Sequence, residues 1–476
     1  MGSTLGHIMN MGNESLRNSR LGVEVTGHNI ANAHTKGYSR QRVNTQTNHP
    51  IQYGKHTIGS GANVAEIQRA HDKYVEMQMR KENQSIGFNT KMGENLSRIE
   101  GIFSLENESS IAEKMSQFTN SLREFSTYPE QYAVRINLIE SAKNLTHSIN
   151  ETHRTVVRMQ DDFTDEVKGE LDGLNQKLDE VAKLNGAIKE MSSGTVANRA
   201  NDLEDRRDML LREITETIDA QVYLDENQNY AVRGPGGSLL VDGTHASQFR
   251  MESTLEFSQP RFLVYGPGGG NPYDITDKAE RGKIGALIRA RDVHAGLVRE
   301  RINDFARNLG DSFNEIHRKG FGIGSFETQN GRDFFKGYEG FDGEPAEGIT
   351  IVEALAADPS SLSAAFTSGA PGDNILANHL VRMMREPLFE NGQTSLLGLY
   401  ENLQSKIGVE SANAKEDAKT SQIIQAQLNS QRESTSGVSI DEEAAELLKY
   451  QHMFTASSRL ITTADQMFQT ILDLKR

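Results

Sequence analysis

The stretch that decides the fold lies at the end of the chain, where residues 440–474 read IDEEAAELLKYQHMFTASSRLITTADQMFQTILDL. Apolar side chains recur there every seven residues in three adjacent rows, which is the spacing of one helix face. The rows are Ile440, Leu447, Phe454, Ile461 and Phe468; then Met453, Leu460, Met467 and Leu474; then Tyr450, Ala464 and Ile471. A helix with so wide an apolar face is unstable alone in water, so the pattern predicts packing against another helix or a second subunit.

The beginning of the chain carries a matching seam. One row, spaced by seven residues, consists of Met9, Leu16, Val23 and Ile30, and its companion row consists of Leu5, Gly12, Ser19 and Thr26. Small side chains in the companion row allow a second helix to approach closely. We therefore expect the two terminal helices to pair as a coiled coil.

Between the two ends the hydrophobic period changes several times. Thr-rich, strand-like sequence follows Asn32 as far as Ile67. Helical periodicity then covers residues 71–102, 129–191, 202–219, 283–318, 374–386 and 395–432, with Pro129 expected in the first turn of the second helix. Short β-like runs separated by Gly, Pro and Asp turns fill residues 221–273, and residues 320–373 are irregular with a possible short hairpin.

These patterns predict a mainly α protein with a β insert. A length of 476 residues corresponds to roughly three domains. The low apolar content, 36%, favours an elongated, multi-domain shape with several small cores. We expect a terminal domain from residues 1–70 and 433–476, a helical-bundle middle domain from 71–220 and 284–432, and a small β-rich outer domain at 221–283.

Composition excludes several classes of protein. The net charge of −15 argues against a general nucleic-acid binder, although residues 1–90 hold ten Lys or Arg against six Asp or Glu. The absence of cysteine excludes disulfides and thiolate chemistry. No apolar run is long enough to predict a transmembrane helix, and the first 30 residues lack the apolar core of a cleaved signal.

The chain shows no catalytic constellation. Metalloprotease, serine-hydrolase and nucleotide-binding motifs are absent, so we expect no catalytic residue, no metal and no cofactor. Residues 320–325, GFGIGS, follow a helical pattern instead of a strand, which favours a turn over a dinucleotide loop. The mixed charges of residues 202–208 are at helical spacing, which predicts ion pairs on an exposed helix surface.

Four stretches carry a resemblance to a known family. Residues 29–41, NIANAHTKGYSRQ, resemble the N-terminal signature of flagellar axial proteins. Residues 200–210 (ANDLEDRRDML), 313–321 (FNEIHRKGF) and 436–443 (SGVSIDEE) are similar, in the same order, to segments of the flagellar hook-associated protein 1 (FlgK) family. Two positions depart from the family pattern: residues 13–16 replace a Ser-Gly-Leu turn, and Lys36 stands where Pro or Ala is common.

The resemblance implies a structural protein of the bacterial flagellum that forms the hook–filament junction. It implies contacts with the hook protein and with the second hook-associated protein, and self-association into a ring. It also implies release to the extracellular flagellum through flagellar type III export, with an export chaperone bound at the C-terminal helix. Neither nucleic-acid binding nor membrane insertion is expected.

Two sets of residues are the candidates for this role. The axial motif comprises Asn29, Ile30, Asn32, Thr35, Gly37 and Tyr38. The terminal-helix interface comprises Leu447, Tyr450, Phe454, Leu460, Ile461, Ala464, Phe468 and Ile471, with Phe454 and Ile461 expected on the central row. Gly37 alone is also consistent with an ordinary C′ residue of the first helix.

Three alternatives stay open on the sequence. The chain could be another flagellar axial component, either the hook protein or the second junction protein, although the 436–443 stretch argues against both. From other classes, it could be a secreted coiled-coil adhesin or an enzyme with its site in the β insert. An enzyme would present a pocket of convergent polar groups.

Overall fold

Helices dominate the chain. The structure, a computed structural model, describes residues 2–53, 56–103, 110–192, 200–224, 230–253, 259–266, 271–339, 344–389 and 392–473. The α-helices are α1 (Gly2–Ala31), α2 (Lys73–Gly101), α3 (Ile111–Thr127), α4 (Tyr132–Ser192), α5 (Asn201–Thr217), α6 (Gly282–Arg289), α7 (Gly296–His317), α8 (Pro345–Gly348), α9 (Glu353–Ala357), α10 (Ile375–Arg385), α11 (Leu396–Ser436) and α12 (Ile440–Asp473). The predicted mainly α class with a β insert is confirmed.

The strands form small antiparallel sheets. They are β1 (Gln41–Thr47), β2 (Ile51–Tyr53), β3 (His56–Ile58), β4 (Ala62–Arg69), β5 (Gln221–Leu224), β6 (Tyr230–Arg233), β7 (Leu239–Asp242), β8 (His245–Ala246), β9 (Gln248–Glu252), β10 (Arg261–Tyr265), β11 (Tyr273–Asp274), β12 (Phe335–Lys336) and β13 (Thr350–Ile351). Strand order is β5-β6-β7-β8 in one sheet and β11-β10-β9 in another, while β1–β4, β2–β3 and β12–β13 pair separately. In the β1–β4 ladder Gln41 faces Arg69.

The chain divides into two compact units. Unit 1 comprises residues Met1–Gly87, Glu170–Gly282 and Thr420–Arg476, and unit 2 comprises Phe88–Gly169 and Lys283–Lys419. Unit 1 therefore holds both terminal helices together with the β-rich residues. The three-domain division expected from the sequence follows other boundaries and stays a prediction.

In unit 1 the terminal helices α1 and α12 pack against each other. The companion row of α1, which was expected to allow close approach, is its buried row: Leu5, Gly12, Ser19 and Thr26. A Cβ atom on Gly12 would lie 2.6 Å from Ile461 Cγ1, so the helices meet where α1 lacks side chains. The hydroxyls of Ser15 and Ser457 are 2.6 Å apart across the same seam. The finer coiled-coil geometry of this pair stays a prediction.

In unit 1, α5 and the β-rich residues that follow it both bury apolar side chains. Burial alternates along β10, as the period of a half-buried strand requires, whereas three successive residues of β6 are buried. The fully buried side chains include Leu211, Ile214, Ile218, Val232, Leu240, Val241 and Phe262. Gly282 has a positive φ of 72°, and a Cβ there would lie 2.7 Å from the backbone of Ile218. This position therefore requires glycine.

Unit 2 is built around aromatic rings. Phe313 on α7 packs against Phe118 on α3 and against the consecutive rings of Phe334 and Phe335, with centroid distances of 4.6–5.7 Å. The inner face of α4 supplies further apolar side chains, among them Leu145, Ile149, Val156 and Phe163, all fully buried. The β12–β13 pair, in which Phe335 faces Ile351, holds Phe335 in place.

Three local expectations differ from the structure. The helix expected from Pro129 begins at Tyr132. Pro129 lies in the preceding turn, and the Pro129 carbonyl accepts a hydrogen bond from Arg135 Nε at 2.7 Å. The single helix expected over 283–318 contains a π-helical turn at Ala290–Ala295. Helix α3 was not predicted, although Ser110 accepts from the Glu113 amide in the manner of an N-cap.

Candidate assembly site and motif cluster

Asn29, near the end of α1, is the centre of a buried polar network. Its Oδ1 accepts hydrogen bonds from the Gln41 amide (2.9 Å) and the Tyr38 hydroxyl (2.8 Å). Its Nδ2 donates to the Gln41 carbonyl and to Glu443 Oε2, both at 2.9 Å. These four bonds use the whole capacity of a carboxamide, two donors and two acceptors. An aspartate could not donate, so the position requires an amide.

Arg40 joins the same network to the start of α12. Its Nη1 donates to Glu442 Oε2, and its Nε lies 2.6 Å from Glu443 Oε1. Its backbone amide donates to the Ser436 carbonyl at 2.9 Å. Glu443 is buried, so its charge is stable there only because Arg40 and Asn29 surround it. The axial motif and the 436–443 stretch are therefore one contiguous site.

The third motif stretch, residues 200–210, joins this site through Arg69 at the end of β4. Arg69 Nη1 donates to Asp205 Oδ1 (2.8 Å) and Asp208 Oδ2 (2.7 Å), and Nε lies 2.9 Å from Glu204 Oε2. Asp205 Oδ2 also accepts from the Ser39 amide at 2.7 Å. Burial raises the pKa of the Asp205 carboxyl, while Arg69 and the Ser39 amide oppose that rise. We call the buried group of Asn29, Arg40, Arg69, Asp205, Asp208 and Glu443 the motif cluster.

The expectation that residues 202–208 form exposed ion pairs among themselves is wrong. Asp205, Arg207 and Asp208 are buried, and their partners come from other parts of the chain. Arg207 Nη1, for example, donates to Asn185 Oδ1 at 2.9 Å. Helical spacing of opposite charges does not reveal whether the face that carries them is covered.

Arg432 and Glu76 extend the cluster, and sequence reasoning missed both. Arg432 Nη2 donates to the Gly37 carbonyl at 2.9 Å, and its Nε donates to Glu76 Oε1 at 3.2 Å. Gly37 has a φ of 89° and lies six residues beyond the end of α1, so it is a turn residue and not the C′ residue of that helix. Single charged residues such as these carry no signal of their partners in the sequence.

The structure divides the axial motif into two groups. Asn29, Gly37 and Tyr38 belong to the network around the motif cluster. Asn32 and Thr35 instead close the end of α1, because Asn32 Nδ2 donates to the His28 carbonyl (3.0 Å) and Thr35 Oγ1 donates to Asn32 Oδ1 (3.2 Å). Ile30 lies half-buried in the last turn of α1.

The predicted terminal-helix interface is also divided. Leu447, Tyr450, Ile461, Ala464 and Ile471 are half-buried or buried on the side of α12 that includes the α1 seam. The most covered heptad row is Glu443, Tyr450, Ser457, Ala464 and Ile471. Phe454 is therefore not central to the packing inside the chain; together with Leu460 and Phe468 it is exposed.

Exposed apolar side chains continue along α12. Each of seven large side chains exposes between 38% and 57% of its surface: Leu448, Met453, Phe454, Leu460, Met467, Phe468 and Leu472. We call these seven residues the exposed stripe. So many exposed large apolar groups on one helix are typical of a surface that another protein covers.

The remaining motif, residues 313–321, lies in unit 2 and serves its core. Asn314 Oδ1 accepts from the amides of Phe334 (2.8 Å) and Phe335 (3.0 Å). His317 Nε2 accepts from the Ser363 amide at 3.0 Å, which places the ring proton on Nδ1, where it donates to the Arg332 carbonyl at 2.8 Å. Complete burial lowers the pKa of His317 to about 4.

This buried histidine predicts a pH dependence of stability. His317 stays neutral in the folded chain at pH 7, whereas its ordinary pKa is 6.5. Because the folded pKa is the lower one, acid favours the unfolded chain: stability is complete above pH 6.5 and falls as the pH drops towards 4. The total loss from this group is about 3 kcal/mol.

Urea unfolding at a series of pH values measures the effect. His317→Asn is the reference variant, since it removes the titrating ring, and its stability should fall less steeply between pH 6.5 and 4. Equal slopes in the two proteins, or an NMR titration of the His317 ring near pH 6.5, would contradict the assignment.

The described residues give no support for a metal site or for a membrane-spanning helix. Within them no group of His, Asp and Glu is arranged to hold a metal ion. None of the helices in the same part of the chain combines the length and hydropathy needed to cross a bilayer. The motif cluster holds three distant segments together, residues 29–41, 200–210 and 436–443, through charge-assisted hydrogen bonds.

Comparison with known proteins agrees with this architecture. The family model described as the flagellar hook-associated protein FlgK helical domain matches residues 96–335, which are 240 of the 476 residues. A second model, the C-terminal region of flagellar basal body rod FlgEFG proteins, matches residues 429–474. The α12 region thus resembles a segment found in rod proteins as well.

Curated relatives match over nearly the whole length. Flagellar hook-associated protein 1 of Bacillus subtilis (strain 168) is 24% identical, over 95% of this chain and 94% of the relative. The protein of the same name from Escherichia coli (strain K12) is 22% identical, over 99% and 100%. The flagellar hook junction protein FlgK from Burkholderia pseudomallei shares the fold, with a TM-score of 0.67 at 12% identity, over 76% of this chain and 100% of that one.

Proposed function

Because this chain belongs to the FlgK family of flagellar hook-associated proteins, we propose that it is a structural subunit of the junction between hook and filament. The observation that carries the proposal is the exposed stripe of α12. One row of that helix packs against α1, while large apolar side chains elsewhere on its surface stay partly exposed among the chain's described residues. A junction subunit needs such a surface, because it must bind proteins on both of its sides.

The partners follow from this role. The subunit would assemble on the hook protein, associate with copies of itself into a ring, and receive the second hook-associated protein. It would reach the extracellular flagellum through flagellar type III export. Before export, the exposed stripe would be covered by a cytoplasmic chaperone bound to α12. The role requires binding surfaces and no chemical reaction, which agrees with the structural character of the family.

Deletion of the gene tests the proposed role directly. Electron microscopy of the deletion strain should show hooks of normal length without filaments, and unpolymerised flagellin should accumulate in the medium. The wild-type gene supplied from a plasmid should restore filaments. Normal filaments in the deletion strain would contradict the role, and loss of hooks would indicate an earlier axial component instead.

A substitution within the exposed stripe tests the surface. Phe454→Asp places a carboxylate where the proposal requires an apolar contact, so binding of the export chaperone should weaken at least about 10-fold. Circular dichroism should be unchanged, because Phe454 is 44% exposed in the free chain. Gln469→Asp, an exposed position on the same helix, is the matched control and should bind normally.

Pull-down with the purified chaperone and filament counts in the complemented deletion strain are the two measurements. Normal chaperone binding and normal filaments for Phe454→Asp would show that the exposed stripe is not the assembly surface.

A further inference from the structure

Unit 2 carries an exposed apolar surface of its own, at the C-terminal end of α3. Each of five large side chains there exposes between 41% and 53% of its surface: Tyr128, Tyr132, Ile136, Phe366 and Ile375. We call these five residues the aromatic patch.

One hydrogen bond joins the two segments that form the aromatic patch, and two more fix the loop that carries Phe366 and Ile375. Asn374 Nδ2 donates to the Ser126 carbonyl at 2.7 Å, which places the 366–375 loop beside the end of α3. Asp373 accepts from the amides of both Phe366 and Ile375 at 2.9 Å, which fixes these two residues on either side of one carboxylate. The aromatic patch is therefore a surface of defined shape.

Carboxylates border the aromatic patch. Glu124 and Glu130 are both exposed, and the Glu130 carboxylate lies against the backbone at Gly372. The two cations nearest in sequence are directed elsewhere: Arg123 Nη1 donates to Asn120 Oδ1 at 3.1 Å, and the buried Arg135 donates to backbone carbonyls. A protein that covers this surface must bring apolar contacts together with positive charge.

A cleft of that chemistry lies at the other end of α3. It has a volume of about 250 Å³, and its apolar floor is formed by Ile111, Phe305, Tyr400 and Leu403. Arg301 and Lys406 stand at its rim. The rim carboxylate, Asp304, is paired with Arg307 at 3.2 Å, and no described carboxylate pairs with the exposed Lys406 ammonium, which can therefore attract a carboxylate from outside.

The two surfaces of one copy cannot meet. Ile111 is the first residue of α3, and Tyr128 directly follows its last residue. A helix of 17 residues is about 25 Å long and rigid, so it holds the cleft and the aromatic patch apart. The complementary charges and the apolar side chains of the two surfaces can therefore meet only between two molecules.

We propose that the aromatic patch of one copy of this chain binds in the cleft of a second copy. The inference rests on the self-association proposed above and names the surfaces that make it. Two different surfaces meet in such a contact, so it is head-to-tail, and repetition generates a closed ring or a helical array. Glu130 of one copy would then face Lys406 of the next.

Disulfide crosslinking tests this contact, because the chain has no cysteine of its own. Phe366→Cys and Asn402→Cys, both at exposed positions, are introduced into separate full-length chains that carry tags of different length. The two chains are co-expressed in the deletion strain, and isolated flagella are oxidised. We expect a mixed dimer, Phe366→Cys joined to Asn402→Cys. The matched control replaces Asn402→Cys by Asn413→Cys, an exposed position about 16 Å further along α11, and should give at least about 10-fold less product.

Charge exchange provides the second readout. With the cysteine pair in place, Glu130→Lys or Lys406→Glu alone should lower the yield several-fold, and both changes together should restore it. Filaments that assemble without the mixed dimer would overturn the proposed contact while leaving the junction role intact. Dimers joining two Phe366→Cys chains, in place of mixed dimers, would overturn it in favour of a symmetric contact.

Discussion

Replacing Arg69 with methionine is expected to lower the free energy of unfolding of unit 1 by about 3–5 kcal/mol, since it leaves buried carboxylates without their cation. Arg69 is the residue that neutralises Asp205 and Asp208, at 2.8 and 2.7 Å. Methionine fills much of the same volume, so the loss reports the charge and not a cavity. We expect the three segments of the motif cluster to separate and amide exchange in α5 to accelerate by more than 100-fold.

Arg42→Met is the matched control for this prediction. Arg42 belongs to the same two-stranded sheet, opposite Gln68, but its side chain is exposed. A surface change of this kind alters stability by at most about 0.5 kcal/mol. The measurement is hydrogen exchange of the full-length protein at pH 7. Similar exchange in the two variants would show that the carboxylates do not depend on Arg69.

Replacing Gly22 with alanine is expected to separate the terminal helices. The added Cβ would lie 2.4 Å from two ring carbons of Tyr450 and 2.6 Å from its Cγ, so the clash cannot be relieved at the end of a flexible chain. Overpacking of this kind costs about 1–3 kcal/mol, more than the gain of about 1 kcal/mol that alanine brings to a helix. Protection of α12 amides from exchange should fall about 10-fold, and filament assembly should fail with it.

Gly27→Ala separates the steric effect from helix propensity. Gly27 lies on the same helix, is exposed, and has no atom within 4 Å of the position that a Cβ would take. This variant should be as stable as the natural chain or more stable, by up to about 1 kcal/mol. If Gly22→Ala is stabilised to the same extent, the close approach of α1 and α12 is not what holds them together.

Much of the architecture could be predicted from local patterns, because helix and strand periods are properties of neighbouring residues. The heptads of α1 and α12, the β-like runs of residues 221–273 and the long helix before them all correspond to elements of the structure. The π-helical turn at Ala290–Ala295 was not foreseeable in this way, since the hydrophobic period continues through it.

The candidate site was only partly predictable. The motif stretches were visible as sequence, and the structure places Asn29, Gly37 and Tyr38 in one hydrogen-bond network, while their role in assembly stays a prediction. Their partners were not visible, because Arg69 and Arg432 reach them from distant segments and hydrogen-bond geometry depends on the folded chain. Burial was misjudged at Asp205 and Asp208 for the same reason.

The sequence by itself determined the helical ends with their apolar seams, the β insert, the absence of cysteine and the family motifs, since each is written in residue type and spacing. The tertiary structure alone decided which row of α12 is covered. The most covered row includes Tyr450 and Ala464 and is the least hydrophobic of the three, so hydropathy does not select it. The choice depends on shape: the glycines of α1 admit Ile461 and Tyr450 but leave Phe454 and Phe468 outside. Steric fit between segments more than 400 residues apart has no local signature, so only the folded chain shows which side chains remain for a partner.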